Sequence, residues 1–157
     1  MYELEKKFRF EMAHRLSHGY DGKCANIHGH SWNGSLFIQH KNHEIDEFGM
    51  LLDYGDIKKL ITEIEDTFDH KLVISTHDPM KLGLMNLGVV NKRVGGVVLM
   101  EGNPTSENIA KEIFRMAQVK MKTQGYFKAG FYVSKVVVEE TCTVSCTYKG
   151  MSHENGM

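Results

Sequence analysis

Cysteine, proline and tryptophan are scarce in this 157-residue chain, which holds three, two and one of them. Three cysteines is an odd count, and a domain of this length buries enough surface to stand without covalent staples. A disulfide scaffold is therefore excluded, and a reducing, cytoplasmic setting is expected. There is no run of eighteen apolar residues, and the first twenty residues alternate in charge where an export signal would place a basic stub and an apolar core. Neither a membrane span nor a leader is expected. No charge of one sign dominates: the formal net charge is −1 with 25% charged residues. A general nucleic-acid or membrane-surface binder would show a basic face, so a small-molecule partner fits better. Repeats and low-complexity stretches are absent. What the chain does have is histidine, nine in all, the commonest metal ligand and the side chain that titrates nearest neutral pH.

From residue 2 to 14 the pattern has period two. Leu4, Phe8, Phe10, Met12 and His14 share one face, broken only by Lys6, while Glu3, Glu5, Lys7, Arg9 and Glu11 share the other. This predicts a half-buried antiparallel strand with His14 at its buried end. A loop follows, then a second extended run over about 27–41 in which His28, His30, Trp32, Leu36 and Ile38 share a face. Asp53 is a suitable N-cap for a helix whose stripe is Ile57, Leu60, Ile61, Ile64 and Phe68, ending near Asp69-His70. Residues 71–103 hold four glycines and short aliphatic runs and read as an insert, with a short strand at 97–101. A second helix starts at Pro104-Thr-Ser-Glu, capped by Thr105 or Ser106. Residues 131–141 and 143–148 then read as strands, with 149–157 a loose tail. The order β-β-α-(insert)-α-β-β predicts one α+β domain over 1–150, antiparallel strands with helices gathered to one side.

Residues two apart in a strand face the same way, with Cα atoms roughly 6.5–7 Å apart, so His28 and His30 can offer two imidazoles to one ion. His14 at the buried end of another strand would be a third, leaving a fourth position for water or substrate as catalytic zinc requires. Each histidine alone reads as an ordinary core or surface residue; the three together read as a metal site. Cys24, four residues before His28, is either a fourth ligand closing the site or a reactive thiol beside it. Cys142 and Cys146 read as small buried packing groups. Asp69 and His70 are either helix-end residues in water or a pair suited to proton transfer. Glu140 falls in phase with Tyr132, Val136 and Val138 on the inner side of its strand. A carboxylate there needs a partner, either a salt bridge or a pair of N–H donors on a heterocycle.

The segments Phe10-Glu-Met-Ala-His-Arg-Leu, Cys24-Ala-Asn-Ile-His-Gly-His30, Leu52-Asp-Tyr, Phe68-Asp-His, Asn103-Pro-Thr-Ser-Glu-Asn and Glu140-Thr-Cys resemble, in order, the 6-pyruvoyltetrahydropterin synthase family. The three residues between the cysteine and His-Gly-His, and the ending Glu140-Thr-Cys-Thr-Val-Ser-Cys-Thr-Tyr, resemble its bacterial 6-carboxytetrahydropterin synthases of queuosine biosynthesis. The resemblance implies a tunnelling fold: a four-stranded antiparallel sheet with two helices on one face, sheets of three subunits joining into a barrel, two trimers forming a homo-hexamer with interfacial active sites. It implies Zn2+ on His14, His28 and His30, Cys24 as general base with His70 and Asp69 as its relay or acid partners, and Glu140 as anchor of the pterin ring. Thr105, Ser106 and Glu107 would line the pterin pocket, the first two through backbone groups. The implied substrate is 7,8-dihydroneopterin triphosphate and the products 6-carboxy-5,6,7,8-tetrahydropterin, acetaldehyde and triphosphate, with Lys23 and Arg15 candidates for the triphosphate. The alternatives are a 6-pyruvoyltetrahydropterin synthase, which keeps the side-chain carbons, and a non-catalytic zinc or pterin-binding module. The insert over 71–103 departs from a compact bacterial member and leads straight into Pro104-Thr-Ser-Glu.

Overall fold

A computed structural model describes residues 1–88 and 96–150; Gly95 of the insert and the tail over 151–157 lie outside them. Strand β1 (Leu4–His14) buries Phe8, Phe10, Met12 and His14 and exposes Glu5, Lys7 and Arg9, as its alternation requires. Strand β2 (His28–His40) runs antiparallel to it, with Trp32, Leu36 and Ile38 fully buried. Gly34 lies opposite Phe8, and a Cβ there would stand 2.3 Å from the phenyl ring, so the glycine makes room for the aromatic across the ladder. The register sets His14 directly opposite His28, and Met12 opposite His30. All three histidines therefore meet at one end of the β1–β2 pair, on its inner face.

The insert contributes to the sheet. Strands β3 (Lys71–Ser75) and β4 (Val97–Met100) add in parallel beside β1, while β5 (Phe131–Thr141) and β6 (Val144–Lys149) add antiparallel beside β2. The sheet has six strands in the order β4-β3-β1-β2-β5-β6, not four, and it is mixed. The four expected strands do form its antiparallel part. The other two escape a period-two reading because a strand paired in parallel carries a continuous aliphatic run; four of the five β3 residues are buried without alternation. Lys149, expected in the tail, closes β6.

Helix α1 (Tyr54–Phe68) is capped by the Asp53 carboxylate, which accepts the Gly55 N–H at 2.6 Å. A short helix α2 (Lys81–Asn86) lies in the insert, and α3 (Ser106–Thr123) begins at Thr105, whose hydroxyl accepts the Asn108 N–H. Ile57, Leu60, Ile64 and Phe68 of α1 and Ile109, Ile113, Ala117 and Met121 of α3 pack on Phe10, Trp32, Leu36, Val136 and Val138 of the sheet. Burying a side chain such as Phe68 or Ile64 stabilises the fold by about 1.5–3 kcal/mol. One phase assignment fails: a bulge pairs Phe37 with Lys135 and Ile38 with Val133, leaving Ser134 as the extra residue. Val133, not Tyr132, therefore joins Val136 and Val138 in the core, and the Tyr132 hydroxyl donates to Gln39 Oε1 at 2.6 Å.

Candidate functional site

His14, at the end of β1, is 1% exposed, and its Nδ1 lies 2.7 Å from the carbonyl oxygen of Pro104, just ahead of α3. His28, first residue of β2, has its Nδ1 2.8 Å from the Asn26 carbonyl oxygen. A carbonyl only accepts, so each neutral ring carries its proton on Nδ1 and turns the Nε2 lone pair inward. The His14 Nε2 is buried with no hydrogen-bond partner. Glu140 Oε1 stands 3.0 Å from it and 3.5 Å from His30 Nε2. The first distance suits a hydrogen bond but the geometry does not, as follows when the proton is on the other nitrogen. Burial, with the charges of His14 and His28, lowers the pKa of His30 against the opposing pull of Glu140, keeping the imidazole neutral as a ligand must be. Contact with His14 holds the Glu140 carboxyl below its ordinary range despite burial, and Ser106 and His30 add to this.

The ring centroids of the three histidines are 4.5–5.4 Å apart, and ligand atoms of His14, His28, His30 and Glu140 all lie within 4.8 Å of one another. Trp32 sets its ring plane nearly perpendicular to those of His14 and His30, giving the cluster an apolar floor. Three neutral nitrogens and a carboxylate, one nitrogen orphaned and buried, make a donor set for a divalent metal of the zinc type.

The proton-transfer candidates lie elsewhere. Cys24 is half-buried in a single 3-10 turn (Lys23–Ala25), its carbonyl accepting the Leu16 N–H at 2.8 Å, which folds the loop back on the end of β1. Its thiol holds the neighbouring Tyr20 hydroxyl above its ordinary pKa. Asp69 caps the end of α1; its Oδ1 accepts the Glu11 N–H at 2.8 Å and its Oδ2 lies 2.8 Å from His70 Nδ1. His70 sits in the left-handed region (φ 56°), donates its N–H to the Glu11 carbonyl, and leaves its ring 78% exposed. It opens into a cleft of about 740 Å³ lined also by Glu11, Ala13, Ser31, Leu72 and Leu84. Glu11 and Ala13 alternate with Met12 and His14 along β1, so this cleft is on the face of the sheet opposite the histidine cluster. Among the described residues no hydrogen bond or ion pair joins Cys24 to Asp69 or His70.

Other assignments change. Ser106 acts through its side chain, its hydroxyl donating to Glu140 Oε2 at 3.1 Å, and Thr105 spends its hydroxyl on the helix cap. Glu107 is exposed on the first turn of α3. Arg15 is not free for an anion: its Nε stands 3.5 Å from buried Asp78 and its Nη1 contacts Met80 Sδ, whereas Lys23 is exposed. Cys142 is exposed at the β5–β6 turn, not buried, while Cys146 packs against the core. Sequence reasoning did not foresee Pro104 and Asn26, whose carbonyls orient two rings, nor the side-chain work of Asn103, which clasps both backbone groups of His18. Backbone carbonyls leave no residue-type signal.

The sequence pattern of one family, described as 6-pyruvoyl tetrahydropterin synthase, matches residues 3–151. A 6-carboxy-5,6,7,8-tetrahydropterin synthase of Aquifex aeolicus is 29% identical over 94% of this chain and 98% of its own length. One from Synechocystis is 30% identical over 94% and 93%. The structure of the Caenorhabditis elegans 6-pyruvoyl tetrahydropterin synthase superposes with a TM-score of 0.66 at 25% identity, covering 95% of each chain.

Proposed function

The chain belongs to the 6-pyruvoyl tetrahydropterin synthase family, and on that premise we propose that it is a zinc-dependent 6-carboxy-5,6,7,8-tetrahydropterin synthase. It would convert 7,8-dihydroneopterin triphosphate to 6-carboxy-5,6,7,8-tetrahydropterin, acetaldehyde and triphosphate, in the pathway to queuosine. The observation that carries the reading is the convergence of His14, His28 and His30 in a protein whose relatives of nearly equal length bear that name. Bound by these rings, zinc supplies Lewis acidity that acidifies substrate hydroxyls and polarises a developing carbonyl.

The chain's own residues do the rest. Glu140 receives N–H donors of the pterin, with Ser106 holding its second oxygen and Thr105 and Glu107 nearby at the start of α3. Cys24 takes a proton from the substrate side chain, and His70, oriented by Asp69, returns one. Because His70 opens on the outer face while the histidine cluster is on the inner face, a complete site joins the Cys24 of one copy to the His70 of another. The sheet offers the means. β1 bonds to β3 only over Met12–His14, and β6 is an edge strand, so the free edge of β1 and that of β6 can pair between copies and close a barrel. We read the assembly as two such trimers. No helix among the described residues is long and apolar enough to cross a membrane; placement in the cytoplasm rests on the unpaired cysteines.

Product analysis on the zinc-loaded protein tests this. Incubation with 7,8-dihydroneopterin triphosphate yields acetaldehyde in step with the carboxylated pterin. A pyruvoyl product with triphosphate release and no acetaldehyde assigns the second reading, a 6-pyruvoyltetrahydropterin synthase, which the family's name and the nematode structure favour. No turnover, with zinc lost on Cys24→Ala, assigns a binding module with a closed site.

A further inference from the structure

Glu140 has one oxygen too close to the histidines for a side chain whose sole task is to hold a ring. At bond lengths of about 2.0–2.1 Å from zinc to nitrogen or oxygen, the edge of a coordination tetrahedron is roughly 3.3 Å. Glu140 Oε1 lies 3.0 Å from His14 Nε2 and 3.5 Å from His30 Nε2, on either side of that value. His28 completes a group whose ligand atoms all lie within 4.8 Å of one another. The other oxygen, Oε2, accepts the Ser106 hydroxyl, which orients Oε1 inward as an outer-shell partner orients a ligand. We propose that Glu140 is the fourth metal ligand of the substrate-free protein and that an arriving pterin draws the carboxylate away.

The inference rests on the reading that the three histidines hold a metal and that Glu140 receives the pterin. A carboxylate has lone pairs enough for either task, but Oε1 cannot serve an ion and a ring N–H at once with full strength. At rest the site is then closed, His3Glu, and its metal is shielded by an anionic ligand. When N–H donors engage Glu140 the fourth position opens, and it opens only in the presence of the molecule to be transformed. One side chain thereby couples recognition of the ring to exposure of the metal toward the substrate's side chain.

The test uses the full-length protein loaded with cobalt(II) and read by visible absorption, with affinity measured by chelator competition. Glu140→Gln, which keeps the shape and can keep the Ser106 bond, is expected to change the tetrahedral-type spectrum and to weaken metal binding about a hundredfold. Ser106→Ala, which leaves the ligand but not its orienting bond, weakens it about tenfold. Adding 7,8-dihydroneopterin to the wild-type protein moves its spectrum toward that of the Gln variant. If Glu140→Gln binds cobalt as tightly as wild type with an unchanged spectrum, the inference is overturned while the three-histidine site stands. If the wild-type protein takes up neither cobalt nor zinc, the reading beneath it fails first. Should the Gln variant not fold in its metal-free form, Glu140→Asp, which shortens the reach to the ion, is read by the same criteria.

Discussion

The two sets of titratable side chains at this end of the sheet are built differently. On the inner face His14 and His28 are each tied through Nδ1 to a backbone carbonyl, and Trp32 closes the floor beneath them. Their placement follows from the β1–β2 register, which a slip of one residue would destroy. On the outer face the Asp69–His70 pair is anchored by two backbone bonds to Glu11, and the His70 ring is open to solvent. The contrast separates tasks. A metal site needs rigid, desolvated ligands that one chain can supply, whereas a proton-transfer pair can wait exposed until another surface arrives.

The sharpest way to break the comparison is to empty the inner face. His14→Ala removes a buried ligand and its link to Pro104; zinc content should fall below one per chain and turnover to background, both measurable on one sample. The outer pair is tested next. Cys24→Ala and His70→Ala should each lower turnover by about 10²–10⁴-fold with zinc content unchanged. Co-refolding the two variants should restore activity to about a quarter of wild type, the random-pairing limit when each site draws one residue from each of two symmetric copies. No recovery on mixing would put Cys24 and His70 in one chain and sink the two-copy site.

The smallest effect concerns stability. Burial would raise the Asp69 carboxyl, but bonds from the Glu11 N–H and the His70 ring prevail and hold it below its ordinary 3.8. A depressed carboxylate stabilises the fold fully above its unfolded pKa, and the contribution is lost as pH falls through the folded value. Asp69→Asn should therefore cost about 1 kcal/mol at neutral pH, a figure discounted for partial exposure, and progressively less in acid. Denaturant unfolding at neutral pH and along the acid limb measures both.

Much of this was legible in one dimension. The alternation over 4–14 placed His14 on the buried side, the His28-x-His30 spacing put two rings on one face, and Asp53 and Thr105 announced the helix starts. Where alternation failed, so did the reading. β3 and β4 carry aliphatic runs buried on both sides, and the bulge at Ser134 moves Tyr132 out of the phase that the residues after it keep. Arg15 looked available for an anion because its neighbour Asp78 is sixty-three positions away.

What the sequence by itself determined is the set of histidines and the face each occupies, because a strand's period of two turns position directly into direction. Only the tertiary structure decided who meets them. Pro104 and Asn26 orient the rings through carbonyls that every residue possesses, Glu140 is brought across from β5, and Asp69 and His70 are carried to the far face by the turn into β3. Those meetings depend on register and strand order between distant segments, which local periodicity does not encode.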